Sequence, residues 1–250
     1  MSLDSVLAVE WPAPPRVRAA FSLRAGGVSA APYDSLNLAA HVGDDRAAVA
    51  ANRARLGAEL ALPAEPLWLT QVHGTSVHDA DAASSMDASP APRADAAVTR
   101  TEGTVLAVLV ADCLPVLLCR RDGAAIAIAH AGWRGLAAGV VEAAFGALGA
   151  AGAEVLAWLG PAIGAAHFEV GDEVRAAFLG REAAAAAFVR NTRGRWQCDL
   201  YQLAMRRLQA LGVTSIYGAR RCTFADRDRF YSYRRDGATG RMAALIWMGR

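Results

Sequence analysis

Two apolar runs flank a short segment rich in reactive side chains, and together they restrict the folds open to this chain. Val105–Val110 and Ala124–Ala129 are short, continuous and branched enough to read as core strands, with Val116–Cys119 between them. The residues Arg120–Gly123, RRDG, read as the turn of a hairpin joining two central strands. Hairpin-linked neighbours argue against a purely parallel doubly wound sheet. The expected fold class is α/β, a layered sandwich with a mixed β-sheet and outer helices. Further strands are expected at Val17–Leu23, Val155–Leu159, Ser215–Ala219 and Ala243–Met248. Helices are expected at Arg46–Leu60 (capped by Asp44 or Asp45), Leu136–Ala150, about Gly171–Ala187, and Asp199–Leu211, ended by Gly212.

Composition narrows the function classes. The 250 residues are 54% hydrophobic and 20% charged, with much of the apolar share in alanine, as in an ordinary globular protein. The formal net charge is +2 and no basic run interleaves with aromatics, so a nucleic-acid partner is not indicated. Every Lys/Arg position is Arg, which excludes lysine Schiff-base chemistry. The four cysteines form no CxxC pair, the N-terminus lacks a signal-peptide pattern, and no apolar run reaches the ~18 residues of a membrane span. These features predict a cytoplasmic protein with reduced thiols and no membrane partner. Asp79–Asp95, rich in Ala, Ser, Asp and Pro, reads as a flexible surface loop inserted within a domain. Residues 1–15 read as an N-terminal extension, and residues 16–250 as one domain.

Cys113 follows the first core run and His130 ends the next, beside the breaking residues Pro115 and Gly132. His73, in QVHGTSV, follows the apolar segment LWLT. Cys113 lies 40 positions after His73 and 17 before His130, neither of which is a local metal motif. Singly, each residue is more simply structural; the shared context favours a common cavity. Thiolate and imidazole ligands suit Zn²⁺ or Cu better than Mg²⁺ or Ca²⁺, and three ligands leave one exchangeable position. The same residues also allow a Cys113 nucleophile paired with His130, with Asp112 orienting the histidine. Cys119 reads as core; Cys198 and Cys222 have weaker claims on chemistry. His41, His78 and His167 read as solvated or locally bonded.

Arg24, in SLRAGGVS, and Arg134, in HAGWRGLAAG, are candidates for binding an anion. Arg134 stands before the expected helix start, where free N–H groups favour negative charge. Neither segment fits GxxxxGK[ST] or GxGxxG, which argues against an ATPase or an NAD enzyme. The C-terminal CTFADRDRFYSYRRDGATGRMAALIWM is dense in arginines and aromatics. Packing aromatics and arginines paired with Asp226, Asp228 and Asp236 are the simpler reading, and a purine site the other.

The segments QVHGTSV, ADCLPVLL, HAGWRGLAAGVV, GPAIGAAHFEVGDEV and FYSYRRDGATGR resemble those of the laccase-domain family, also called the purine nucleoside phosphorylase family of polyphenol-oxidase-like proteins. The resemblance runs from about Arg16 to the C-terminus and takes in SLRAGGVS, NLAAHVGDD and the ADAAVT segment. It implies a single α/β domain and one zinc ion, replaceable by copper, bound by His73, Cys113 and His130. It further implies phosphorolysis of adenosine, inosine or methylthioadenosine to the base and ribose 1-phosphate, with adenosine deamination alongside. The expected partners are a purine nucleoside and phosphate, on a monomer or small homo-oligomer. Arg24 and Arg134 are the candidates for phosphate, and Asn37 and Asp112 are polar neighbours. A multicopper laccase needs on the order of ten histidines, and this chain has five. The HxE…PCxxC deaminase signature is absent. Three other readings remain: a Cys113/His130 hydrolase acting on an amide, a polyphenol oxidase working through one bound copper, and a non-catalytic metal-holding protein.

Overall fold

The computed structural model describes residues 5–82, 91–178, 182–218 and 220–249. In chain order its strands are β1 (Val6–Ala8), β2 (Val17–Ser22), β3 (Val77–Asp79), β4 (Ala96–Thr99), β5 (Val105–Val110), β6 (Leu114–Arg120) and β7 (Ile126–Ala131). They continue as β8 (Val155–Leu159), β9 (Glu169–Val170), β10 (Phe188–Arg190), β11 (Trp196–Cys198), β12 (Ser215–Gly218) and β13 (Met242–Met248). The helices are α1 (Arg46–Glu59), α2 (Trp133–Ala138), α3 (Val140–Leu148), α4 (Asp172–Ala176), α5 (Leu200–Ala210) and α6 (Tyr233–Asp236).

A four-stranded sheet, in the order β1-β2-β13-β5, packs on a six-stranded sheet in the order β12-β8-β6-β7-β4-β3; β10-β11-β9 form a third, small sheet. The large sheet is mixed: β3–β4 and β12–β8 are parallel, and the other pairs antiparallel. Alternation along each strand sorts side chains into layers. In β5, Leu106, Val108 and Val110 enter the core between the sheets, while Val105, Ala107 and Leu109 enter a second core that contains Leu56 of α1. In β7, Ile126 and Ile128 point between the sheets, and Ala127, Ala129 and Ala131 face the core shared with α3 and α5. The order is thus helix, sheet, sheet, helices, the expected α/β sandwich.

Several boundaries differ from expectation for identifiable reasons. Asp45 caps α1 by accepting from Ala47 N at 2.9 Å, while Asp44 accepts from Ser29 Oγ and Asn37 Nδ2 instead. The helix expected over Leu136–Ala150 starts earlier, at Trp133, and breaks at Gly139, whose φ of +108° suits glycine. The span Gly171–Ala187 is no single helix: α4 covers five residues, and Glu182–Ala187 is a 3₁₀ turn leading into β10. Pro115 does not break the chain but lies within β6 opposite His130. The His130 N–H donates instead to Asp95 O at 2.7 Å, so the missing proline N–H costs no ladder bond there. Within the N-terminal extension, β1 pairs with β2 and Trp11 packs on the inter-sheet core. The loop reading of Asp79–Asp95 falls partly outside the described residues, but its end is not surface: Asp95 is fully buried.

Candidate metal centre

The three expected ligands converge from three segments. His130, at the end of β7, has the parity of Ile126 and Ile128 and so points between the sheets. Cys113 lies in the turn joining β5 to β6. His73 is brought beside β5 by Gln71, whose amide donates to Leu109 O at 2.9 Å and accepts from Leu109 N at 2.7 Å, an imitation of strand pairing. The ligand atoms of His73, Cys113 and His130 all lie within 4.8 Å of one another, with Cys113 Sγ 3.9 Å from His73 Nε2. Tetrahedral zinc with ordinary bond lengths sets sulfur and nitrogen about 3.5 Å apart, so this donor set fits one ion after a slight closure. His130 is buried, Cys113 half-buried and His73 exposed, which leaves the fourth side accessible on the His73 flank.

One residue organises two of these ligands, and it is not the expected one. Asp95 Oδ1 accepts from His130 Nδ1–H at 2.9 Å and from His73 N at 2.9 Å. Asp95 Oδ2 accepts from Val72 N at 3.1 Å and Gly74 N at 2.7 Å. The carboxylate therefore holds three successive N–H groups around His73, whose φ is +61°, and turns His130 Nε2 toward the cavity. Burial would raise the Asp95 carboxyl, but the His130 hydrogen bond and the backbone donors overcome it and hold it below the usual range. Asp112 does not orient His130. Its Oδ1 accepts from Thr223 Oγ1 at 2.6 Å and its Oδ2 from Arg234 N at 2.7 Å, tying the β5–β6 turn to the C-terminal segment. An expected role for Asp112 thus passes to Asp95, an acid between a Pro-containing loop and the fully buried strand β4. That position was the available signal: a charge entering a core needs partners.

Electrostatics and packing support the cavity. Burial pushes the Cys113 thiol up, but the imidazoles of His130 and His73 more than reverse this and bring it to about 6. Burial lowers the His130 pKa; the Cys113 sulfur and Asp95 raise it overall. By contrast, burial drives Cys119 and Cys198 up to about 12. A Cβ at Gly132 would stand 2.9 Å from Cys113 Sγ and 3.1 Å from His73 Cδ2, so the centre requires glycine there for space. Gly132 has an ordinary φ of −63°.

The other expected residues are found in different states. Asn37 is buried with its amide spent inside the protein, donating to Ala39 O and Asp44 Oδ2 and accepting from Ala39 N and Arg241 N. Arg24 is held by Asp34 and by the carbonyls of Asp34 and Arg227, over the Tyr231 ring. Arg134 is exposed within the first turn of α2, rather than before it, and stacks on Trp133. It borders a groove of about 290 Å³ that Phe168, Arg195 and Arg234 also line. In the C-terminal segment Phe230 and Tyr231 are buried, and Arg235 donates to the carbonyls of Thr223, Phe224 and Phe230 and to Asp236. The simpler, structural reading of those residues holds. Cys222 lies beside His167, with Sγ 3.4 Å from Nδ1. All four cysteines are free, and no described helix is long and apolar enough to cross a membrane.

Proteins of similar sequence share this fold. The pattern of the family described as multi-copper polyphenol oxidoreductase laccase matches residues 18–249. The chain is 52% identical over 248 residues to a protein of Pseudomonas aeruginosa named purine nucleoside phosphorylase, covering 98% of this chain and 99% of that one. It is 49% identical over 249 residues to Escherichia coli YfiH, which carries the same name, covering 98% and 100%. A Neisseria meningitidis protein of known crystal structure superposes with a TM-score of 0.93 at 46% identity, covering 99% and 100%. YlmD from Geobacillus stearothermophilus superposes with a TM-score of 0.91 at 30% identity, covering 100% and 98%. With this pattern along nearly its whole length, the chain belongs to the multi-copper polyphenol oxidoreductase laccase family.

Proposed function

We propose that this protein is a purine nucleoside phosphorylase that uses one zinc ion held by His73, Cys113 and His130. The observation that carries the reading is the convergence of these three ligand atoms within 4.8 Å of one another, with one flank accessible. The name shared by relatives about half identical in sequence supplies the reaction class. Zinc held by these three side chains would supply a Lewis acid. The residues do the rest of the positioning. Asp95 fixes the His130 ring and the His73 turn, and Asp112 fixes the Cys113 turn against Arg234. In the reaction an oxygen of phosphate bonds to C1′ of the nucleoside. The C1′–N9 bond breaks, and its electron pair leaves on the purine, which takes up a proton.

The copper chemistry in the family's description is a poorer fit. The five histidines of the chain fall short of a multicopper set, and among the described residues one His/Cys/Asp/Glu group of three has metal-binding geometry. The test is chromatographic. Zinc-loaded protein is incubated with adenosine, inosine or methylthioadenosine, with and without phosphate. Free base formed only with phosphate is the expected result. Inosine from adenosine would establish deamination, and no product from any of the three would sink the nucleoside reading.

A further inference from the structure

Phosphorolysis needs an anion held beside the metal centre, and the two arginines first expected to hold it are poorly disposed to do so. Arg24 already faces Asp34 and two carbonyls. Arg134 is exposed over Trp133, where water screens its charge. Arg241 differs from both. It is half-buried at the entrance to β13, and its backbone is pinned on both sides: N donates to Asn37 Oδ1 at 2.9 Å, and O accepts from Leu38 N at 3.3 Å. Its Nη1 donates to the carbonyls of Thr239 at 2.7 Å and Gly240 at 3.0 Å, and its Cζ stands 5.7 Å from the exposed Tyr233 ring. Among the described residues no carboxylate forms an ion pair with it, and the only hydrogen bonds its guanidinium makes there are through Nη1.

Burial weakens the cationic form of Arg241, and the charges that favour it most are those of Cys113 and Asp112, both at the metal centre. Neither is hydrogen-bonded to it: the Cys113 sulfur belongs to the ligand set, and the Asp112 oxygens accept from Thr223 and Arg234 N. The same positive charge helps to lower the pKa of His41, after burial and before Arg53. A half-buried guanidinium without a counter-ion is costly unless a ligand supplies one.

We propose that Arg241 is the phosphate-binding residue of this centre, presenting Nε and Nη2 to an oxyanion beside the His73/Cys113/His130 triad. Fork geometry suits two oxygens of one tetrahedral anion. The assignment rests on the phosphorylase reading for the identity of the anion, and its test keeps the two apart.

Inorganic phosphate is titrated calorimetrically into zinc-loaded full-length protein, and phosphate and nucleoside dependences of turnover are measured on the same samples. Arg241→Gln is expected to weaken phosphate binding and raise its KM by roughly tenfold to a hundredfold, with zinc content and nucleoside KM nearly unchanged. Arg241→Lys, which keeps charge and stem, recovers part of the binding and guards against a folding defect in the first variant. Arg24→Gln and Arg134→Gln keep phosphate binding. If wild-type protein binds no phosphate, or if Arg241→Gln binds it as wild type does, the assignment is overturned. It is equally overturned if the loss follows Arg24 or Arg134. Phosphate binding that depends on Arg241 in a protein that cleaves no nucleoside would instead uphold the site and remove the phosphorylase reading.

Discussion

At the residue scale the centre depends on side chains that never touch a metal. Asp95→Asn removes the charge that holds three backbone N–H groups and the His130 ring, so zinc affinity is expected to fall roughly tenfold to a hundredfold while the sandwich still folds. Competition with a colorimetric chelator reads this out, and an unchanged affinity would deny Asp95 its orienting role. Gly132→Ala places a methyl group 2.9 Å from Cys113 Sγ. Overpacking of about 1–3 kcal/mol is expected, and it should appear as lost zinc in metal analysis of the folded variant. Thiol reactivity gives an independent check. In metal-stripped protein the Cys113 thiolate persists down to about pH 6, because its pKa is lowered to about 6. Iodoacetamide should modify it with a half-point near that pH, against about 8.5 for an ordinary thiol, and added zinc should protect it. Cys119 and Cys198, both pushed up to about 12, should stay silent. A Cys113 half-point above pH 8 would mean that the imidazoles do not act on the sulfur. Asp95 was hard to read as a site residue because its partners lie 21 to 35 positions away and three of them are main-chain groups, which left its place at the entry to a buried strand as the signal. The clustering of His73, Cys113 and His130 was legible because each ends or follows an apolar run.

At the element scale, strands were easier to read than helices. Val105–Val110 and Val155–Leu159 are fully buried, so an unbroken apolar run marks them from end to end. The helix ending at Leu211 was legible from Asp199, which accepts from Gln202 N at 3.0 Å, and from Gly212 beyond it. Alanine misled at Gly171–Ala187, where its helix propensity gave no hint that Phe188–Arg190 would be drawn into the small sheet against β11. The break between α2 and α3 was missed because Gly139 sits inside an apolar pattern that reads as continuous. That glycine has a φ of +108°, and Gly139→Ala should cost about 1–2 kcal/mol in urea denaturation. No loss of stability would show that the break tolerates an L-residue. The break lies close to the site, since α2 begins at Trp133, directly after Gly132 at the triad.

At the scale of the whole molecule, two stacked sheets put the triad at the end of the inter-sheet layer, where β7, the β5–β6 turn and the His73 turn meet. The hairpin Arg120–Gly123 and the mixed sheet followed from local patterning, whereas the pairing of β13 between β2 and β5 did not, since it joins residues 223 to 231 positions apart on one side and 132 to 142 on the other. The C-terminal segment closes on the site through Arg234 N, which donates to Asp112. Whether His73, Cys113 and His130 hold zinc and support phosphorolysis together is decided by one experiment. Zinc content and phosphate-dependent release of adenine from adenosine are measured side by side for wild type and folded Cys113→Ala. One zinc per chain with phosphate-dependent adenine in wild type, both lost in the variant, is the predicted result. Full phosphorolysis by a zinc-free Cys113→Ala protein would contradict the account.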